Sequence, residues 1–414
     1  MLHSLRALSY RNYRLYFAGQ GLSVLGIWVQ QVAMMWLVYR LTDSPFWLGA
    51  TAFAGQIPLL VLAPLGGVWS DRFDRRRVLI IAQIIAFVQA LVLAVLDYAQ
   101  VIQVWHVLAM AVALGCVMAI ETPVRQSLTK ELVPSVGDLP SAIALNGVIQ
   151  NGGRMIGPTV AGLLILYTGE AFCFLANALS KVAVVWALLA LRLPASTPSR
   201  ATPVLQGFRD GFAYCRESVV VRTLLPVLAV IAFMATPYQP LMPVFADKVF
   251  GGGPQTLGWL LGASGLGGCI GLLTLASRPD VRGLSRWIVG GAAGTGLSLA
   301  VFAESTSLAL SLVAIAVTGF TLILSAMSIS TIFQTIVPDH MRGRVMGFFT
   351  MIFLGLHPVG SLVAGALADR IGAAHTLALG GACCVLAALW LARKLDRLRA
   401  AIRPIYVRLG ISQE

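Results

Sequence analysis

Charge is what this sequence has least of. Only 11% of its 414 residues are charged, against roughly 25% in a soluble domain. A water-exposed globule is excluded, and the chain reads as a membrane protein whose helices pack against one another in lipid. Cysteine carries no pattern: Cys116, Cys173, Cys215, Cys269, Cys383 and Cys384 show no metal-ligand spacing, and five of them lie in apolar runs. They read as small buried hydrophobes, with no disulfide framework and no metal. No carboxylate sits mid-span; Glu121 and Asp97 stand at span ends. Nothing resembles a catalytic triad or a phosphate loop, so the chain is not read as an enzyme and no cofactor is expected. No cleavable leader is expected either, because the first apolar run, 15–39, suits a retained span better.

What is present is long apolar sequence. Ten uncharged runs, 15–39, 44–70, 78–96, 98–120, 223–246, 249–277, 287–303, 305–338, 345–368 and 371–392, are each long enough to cross a bilayer. Two more, 139–166 and 171–191, are interrupted once each, by Arg154 and Lys181. Every backbone polar group in lipid needs an internal partner, so these runs are helices. They are too long and lack the alternation that a barrel requires. The expected fold is all-α, with twelve transmembrane helices.

Placing the Arg-rich segment 66–77 in the cytoplasm puts 25 of the 30 cations inside. Only Arg40, Lys248 and Arg370 then lie outside. That asymmetry predicts both termini in the cytoplasm. It also disposes of nucleic acid as the partner implied by the net charge of +13, since the cations sit in loops between apolar spans. The Pro-, Ser- and Thr-rich stretch 192–222 reads as a cytoplasmic linker between two six-helix bundles, 1–191 and 223–393, with a short interfacial helix over 205–217. A basic tail, 394–414, follows; it has apolar residues at helical spacing and reads as a surface-lying helix or a solvated tail. Internal repeats agree with two halves. Leu132-Val133-Pro134 is matched by Ile336-Val337-Pro338, and Gly157-Pro158 loosely by His357-Pro358, at offsets of 200 to 204 residues.

Two stretches carry a family likeness. Gly67-x-x-x-Asp71-Arg72-x-x-Arg75-Arg76 resembles the loop between helices 2 and 3 of the major facilitator superfamily, with Asp74 where many members have Gly. The run 151–162, with Gly153, Arg154, Gly157, Pro158 and Gly162, resembles the helix 5 signature of antiporters in that superfamily, with Ala161 replacing one Gly. Together with Arg11-Asn12-Tyr13-Arg14, Trp28-Val29-Gln30-Gln31, Arg125-Gln126 and Glu131-Leu132-Val133-Pro134, these stretches are similar to the exporter branch that includes macrolide-efflux proteins and the enterobactin exporter.

The resemblance implies the major facilitator fold, two pseudo-symmetric six-helix bundles with substrate bound between them. It implies a monomeric multi-pass protein of a bacterial cytoplasmic (inner) membrane. Its activity would be export of an amphiphilic small molecule, a drug or siderophore, by alternating access with protons as the counter-ion. Two alternatives stay open: a lysophospholipid flippase of the same fold, and a membrane sensor that transports nothing. The implied gating residues are Gly67, Asp71, Arg72, Arg75, Arg76 and Glu121, with Arg342 and Arg344 at the start of the eleventh helix. In the outward-facing state Asp71 is expected to dock on that helix, while Arg72 or Arg75 reaches Glu121 or Glu131. The implied cavity lining is Gln30, Gln31, Trp36, Arg154, Tyr238, Gln239 and Phe333. Glu121 and His357 are the candidate proton sites by position. Arg154 and Lys181, being intramembrane cations, each need a partner or a wet cavity.

Overall fold

The computed structural model describes residues 3–72, 74–133, 135–191, 204–278 and 280–408. Within 63–72 only the backbone is described, so the side chains of Asp71 and Arg72 lie outside it beside Gly67, as do residues 192–203 of the expected linker. The helices are α1 (Arg11–Thr42), α2 (Pro45–Arg72), α3 (Arg75–Tyr98), α4 (Val104–Leu132), α5 (Leu139–Thr168), α6 (Glu170–Ala190), α7 (Val204–Glu217), α8 (Val219–Val230), α9 (Tyr238–Val244), α10 (Gly253–Ala276), α11 (Leu284–Glu304), α12 (Leu308–Ile336), α13 (Asp339–Ile371), α14 (Ala373–Arg393) and α15 (Leu395–Arg408).

Among the described residues eleven helices are long and apolar enough to cross a membrane. The expectation was twelve, and the difference is α5. At 30 residues it has the length. Its apolar character is diluted by Asn146, Gln150, Asn151, Arg154 and a set of glycines, the residues that make it distinctive. The span Val219–Val249 is not one regular helix. Pro226, Pro237, Pro240 and Pro243 remove backbone donors along it, and it is made of α8, a π-helical turn Ile231–Ala235, α9 and a second π-helical turn Phe245–Val249.

The ends of the helices follow from local chemistry. Asp74, the residue that departs from the family pattern, accepts a hydrogen bond from the Arg77 N–H at 2.8 Å and caps α3. Gly169 (φ 79°) and Gly372 (φ 87°) form the turns from α5 to α6 and from α13 to α14. Each donates its N–H to the carbonyl four residues back, Ile165 and Ala368 respectively, at 3.0 Å. Both turns need a left-handed residue, and they stand in equivalent places of the two sequence repeats.

The chain divides into two compact units. One is Met1–Ala201 with Ala246–Gly262; the other is Thr202–Phe245 with Ala263–Glu414. In the first, α2 packs on α4, α3 on α6, and α1 on both α5 and α6. In the second, α11 packs on α12 and α14, and α13 on α14 and α7. Helix association in lipid gains little from hydrophobicity and depends on close approach. Gly115 supplies it by lying against the Gly55 carbonyl, and Gly319 and Gly267 by lying against the Ser264 and Ala316 carbonyls. The tail helix α15 buries Leu398, Ile402 and Tyr406, one apolar stripe, within the second unit. Burial pushes the Tyr406 hydroxyl up to about 12.

Candidate functional site

The glycines of α5 form a packing stripe. A Cβ on Gly153 would lie 2.6 Å from Val24 Cγ1, and one on Gly157 would lie 2.5 Å from Trp28 Cβ. Further along, a Cβ on Gly162 would meet the Pro254 carbonyl at 2.6 Å, and one on Gly258 would meet the Pro158 carbonyl at 2.6 Å. Thr159 donates its hydroxyl to the Gly258 carbonyl at 3.5 Å. The stripe therefore seats α1 at one end and the first turns of α10 at the other. Arg154, within the same motif, is partly exposed and makes no ion pair among the described residues.

The segment before α10 is tied to the end of α1 by polar contacts. Tyr39 donates to Asp247 Oδ2 at 3.0 Å, and Lys248 pairs with Asp43 at 3.0 Å. The ammonium of Lys248 holds the Asp43 carboxyl below the usual carboxylate value. Beside them Arg40 bridges Asp97 at 3.2 Å and Glu170 at 2.8 Å, joining the ends of α1, α3 and α6.

The interior of the first unit carries buried polar and charged groups. Gln30 is fully buried; its amide donates to Gln89 at 3.0 Å and accepts from Asn177 at 2.7 Å. Both ends of the amide are in use, so Gln30 belongs to the packing of α1 on α3 and α6, not to a ligand-facing wall. Lys181, 1% exposed, donates to the Ser23 hydroxyl at 2.7 Å. Glu121, also buried, pairs with Arg125 at 3.3 Å, one helical turn away. Lys181 is near enough to both to interact with them electrostatically.

The remaining expected residues are dispersed. Arg75 pairs with Glu131, and Arg76 donates to the Leu189 carbonyl at 2.6 Å. Arg342 pairs with Asp339 at 2.6 Å, and Arg344 with Asp210 of α7 at 3.1 Å. Gln31 and Trp36 are half-buried, with Trp36 against Tyr39. Tyr238 is buried and hydrogen-bonded to Ser264, and Gln239 donates to the Tyr238 hydroxyl at 3.4 Å. Phe333 is fully buried, edge-on to Phe349. His357 is half-buried in α13, and its carbonyl accepts from Ser361.

Three groups were not anticipated: Ser23 as the partner of Lys181, Gln20 beside it, and Trp28 as the residue seated on the glycine stripe. A lone serine or glutamine in an apolar run has no signal of its own. The Trp28 contact had half of one, since glycines spaced by four announce a close neighbour without naming it.

Residues 3–403 match the family described as transmembrane secretion effector. The chain is similar to the multidrug efflux pump Tap of Mycolicibacterium fortuitum, 29% identical over 86% of this chain and 87% of that protein. It is also similar to the staphyloferrin A transporter of Staphylococcus aureus, 25% identical over 88% and 92%. Macrolide efflux protein A of Streptococcus pyogenes is 24% identical over 90% and 94%. Among solved structures, the nucleoside transporter NupG superposes with a TM-score of 0.72 at 16% identity, covering 95% of this chain and 99% of that one. A POT peptide transporter in complex with sulfate gives 0.74 at 12% identity, over 95% and 96%. At these identities the structures establish the fold.

Proposed function

The chain belongs to the transmembrane secretion effector family of the major facilitator superfamily, and from that premise we propose that it exports an amphiphilic small molecule across a bacterial cytoplasmic membrane by alternating access, driven by proton antiport. The relatives named as pumps and transporters of drugs, a siderophore and macrolides support export of a molecule of that kind. The 25-to-3 distribution of loop cations supports cytoplasmic termini. Glu121 and His357 are the proposed proton carriers, and the protein is proposed to work as a monomer.

The observation that carries the reading is the α5 stripe. Gly153 and Gly157 seat the Val24 and Trp28 side chains of α1, and Gly162 brings the backbone at the start of α10 against the same helix. The contact with the start of α10 is mainly glycine against backbone, with one long hydrogen bond from Thr159, and a contact of that kind has little to unmake when helices part. A transporter that opens and closes needs such a contact.

The test is uptake into everted membrane vesicles. A macrolide, a hydrophobic cationic dye and a siderophore are offered with and without a proton gradient. Accumulation of at least one of them, abolished by a protonophore, is expected. No accumulation by correctly inserted protein contradicts export, and accumulation indifferent to the protonophore contradicts proton coupling.

A further inference from the structure

A pocket of about 190 Å³ lies within the first unit between α1, α4 and α5. Tyr16, Gln20, Arg125, Thr129, Asn146 and Gln150 are on its walls. A liquid water occupies about 30 Å³. The space therefore suits one functional group and the few atoms around it, not a whole drug-sized molecule.

Two groups on these walls keep unspent donor capacity. Gln20 is only 4% exposed, and its amide nitrogen has no hydrogen-bond partner among the described residues. A buried donor in that condition is costly unless something accepts from it. Arg125 gives one N–H to Glu121 at 3.3 Å, and among the described residues the rest of its fork makes no further bond. Asn146 and Thr129 are already committed: Asn146 donates to the Thr129 hydroxyl at 3.3 Å, and that hydroxyl donates to the Arg125 carbonyl at 3.1 Å. They form wall, not ligand.

The charge count points the same way. Among the described residues, two buried or half-buried cations, Arg125 and Lys181, face one buried acid, Glu121. With both cations ionised, one positive charge is left over in this set, where desolvation is expensive. A carboxylate offers only acceptors and one negative charge, and a guanidinium fork beside an amide N–H matches it.

We infer that this pocket is an anion subsite that binds a carboxylate of the transported molecule through Arg125 and the amide nitrogen of Gln20. The inference rests on the export reading and narrows it: the cargo, or a favoured class of it, is an amphiphilic acid. Lys181 supplies charge from behind without touching the ligand.

The experiment uses the full chain in lipid nanodiscs and two fluorescent probes, dansyl-phenylalanine and its methyl ester. They differ in one negative charge. The acid is expected to bind at least about tenfold more tightly than the ester, the scale of a charge-assisted hydrogen bond. Gln20→Leu should weaken acid binding several-fold, and Arg125→Gln should erase the preference for acid. Arg125→Gln strands Glu121, so Glu121→Gln/Arg125→Gln serves as the second variant; it removes the ion pair as a unit and should lose the preference equally. Equal binding of acid and ester by the wild type overturns the subsite and leaves export standing. A preference that survives both Arg125 variants also overturns it. Failure of correctly inserted protein to bind either probe overturns the subsite and counts against export of amphiphiles as well.

Discussion

At the residue scale the account turns on buried charge. Among the described residues Glu121 is the one acid facing Arg125 and Lys181. Removing it leaves two cations in a low-dielectric interior, and breaking a buried pair in this way costs about 3 kcal/mol or more. Glu121→Gln is therefore expected to lower the melting temperature of the purified protein markedly, and adding Lys181→Met should recover part of the loss. An unchanged melting temperature in the single variant would mean that the cluster is hydrated and of little energetic weight. Much of this was legible in the sequence. Lys181 is visible as a cation in the middle of an apolar run, and Glu121 as an acid at a span end, although the partner expected for it was Arg72 or Arg75 and the structure gives Arg125. The partner of Lys181 was not legible, because Ser23 lies on another helix and a hydroxyl in a membrane span is commonplace. Gln30 misled for a related reason. Its amide is the same whether it faces a ligand or, as here, Gln89 and Asn177.

At the scale of the element, α5 holds the tightest constraints. The obstacle to a side chain at Gly153 is a side-chain atom, Val24 Cγ1; at Gly157 it is Trp28 Cβ, which every residue but glycine carries. The two positions should therefore respond differently to compensation. Gly153→Ala is expected to impair transport and to be rescued by Val24→Ala, while Gly157→Ala is not rescued by Trp28→Ala. Rescue at both positions, or at neither, measured as vesicle uptake at matched expression, would show that α1 is not seated as described. The motif of α5 was evident from the resemblance of Gly153, Arg154, Gly157, Pro158 and Gly162 to the antiporter signature. What it seats was not, since Val24, Trp28 and Pro254 are distant in sequence.

The tie between α1 and the segment before α10 has a pH signature. The Asp43 carboxyl is held low by Lys248. A carboxyl lowered in the folded state contributes stability above its ordinary value and loses it as pH falls through the lowered one. Hydrogen-exchange protection of residues 246–252, corrected for intrinsic rates, should therefore decline at acid pH in the wild type. It should already be reduced at neutral pH in Asp43→Asn. The effect is small, because the pair is exposed to solvent.

At the scale of the whole molecule, composition and the apolar runs were enough to read a helical membrane protein, and the resemblance of 66–77 and 151–162 implied the major facilitator type. The count of spans was less legible, because α5 trades apolar residues for glycine and polar ones. The broken span 219–249 was also hidden, since apolar composition does not report on backbone hydrogen bonds; its four prolines were the available signal. The cation asymmetry makes a direct prediction. A reporter active only outside the membrane should be silent when fused at Glu414 and active when inserted in 247–256, and the reverse pattern would overturn the topology.

The segment Ala246–Gly262 belongs by sequence to the second repeat, yet it packs with the first unit, on α1 and α5. The proposed alternating access requires that this attachment be broken in another state. With the six cysteines replaced, spin labels at Tyr167, 80% exposed near the end of α5, and at Val249, 40% exposed, report on it directly. The account predicts a short-distance population as in this structure. It also predicts a second, longer one that grows when transported substrate is added or the proton concentration is changed. A single short distance under every condition, in protein that still transports, would contradict it.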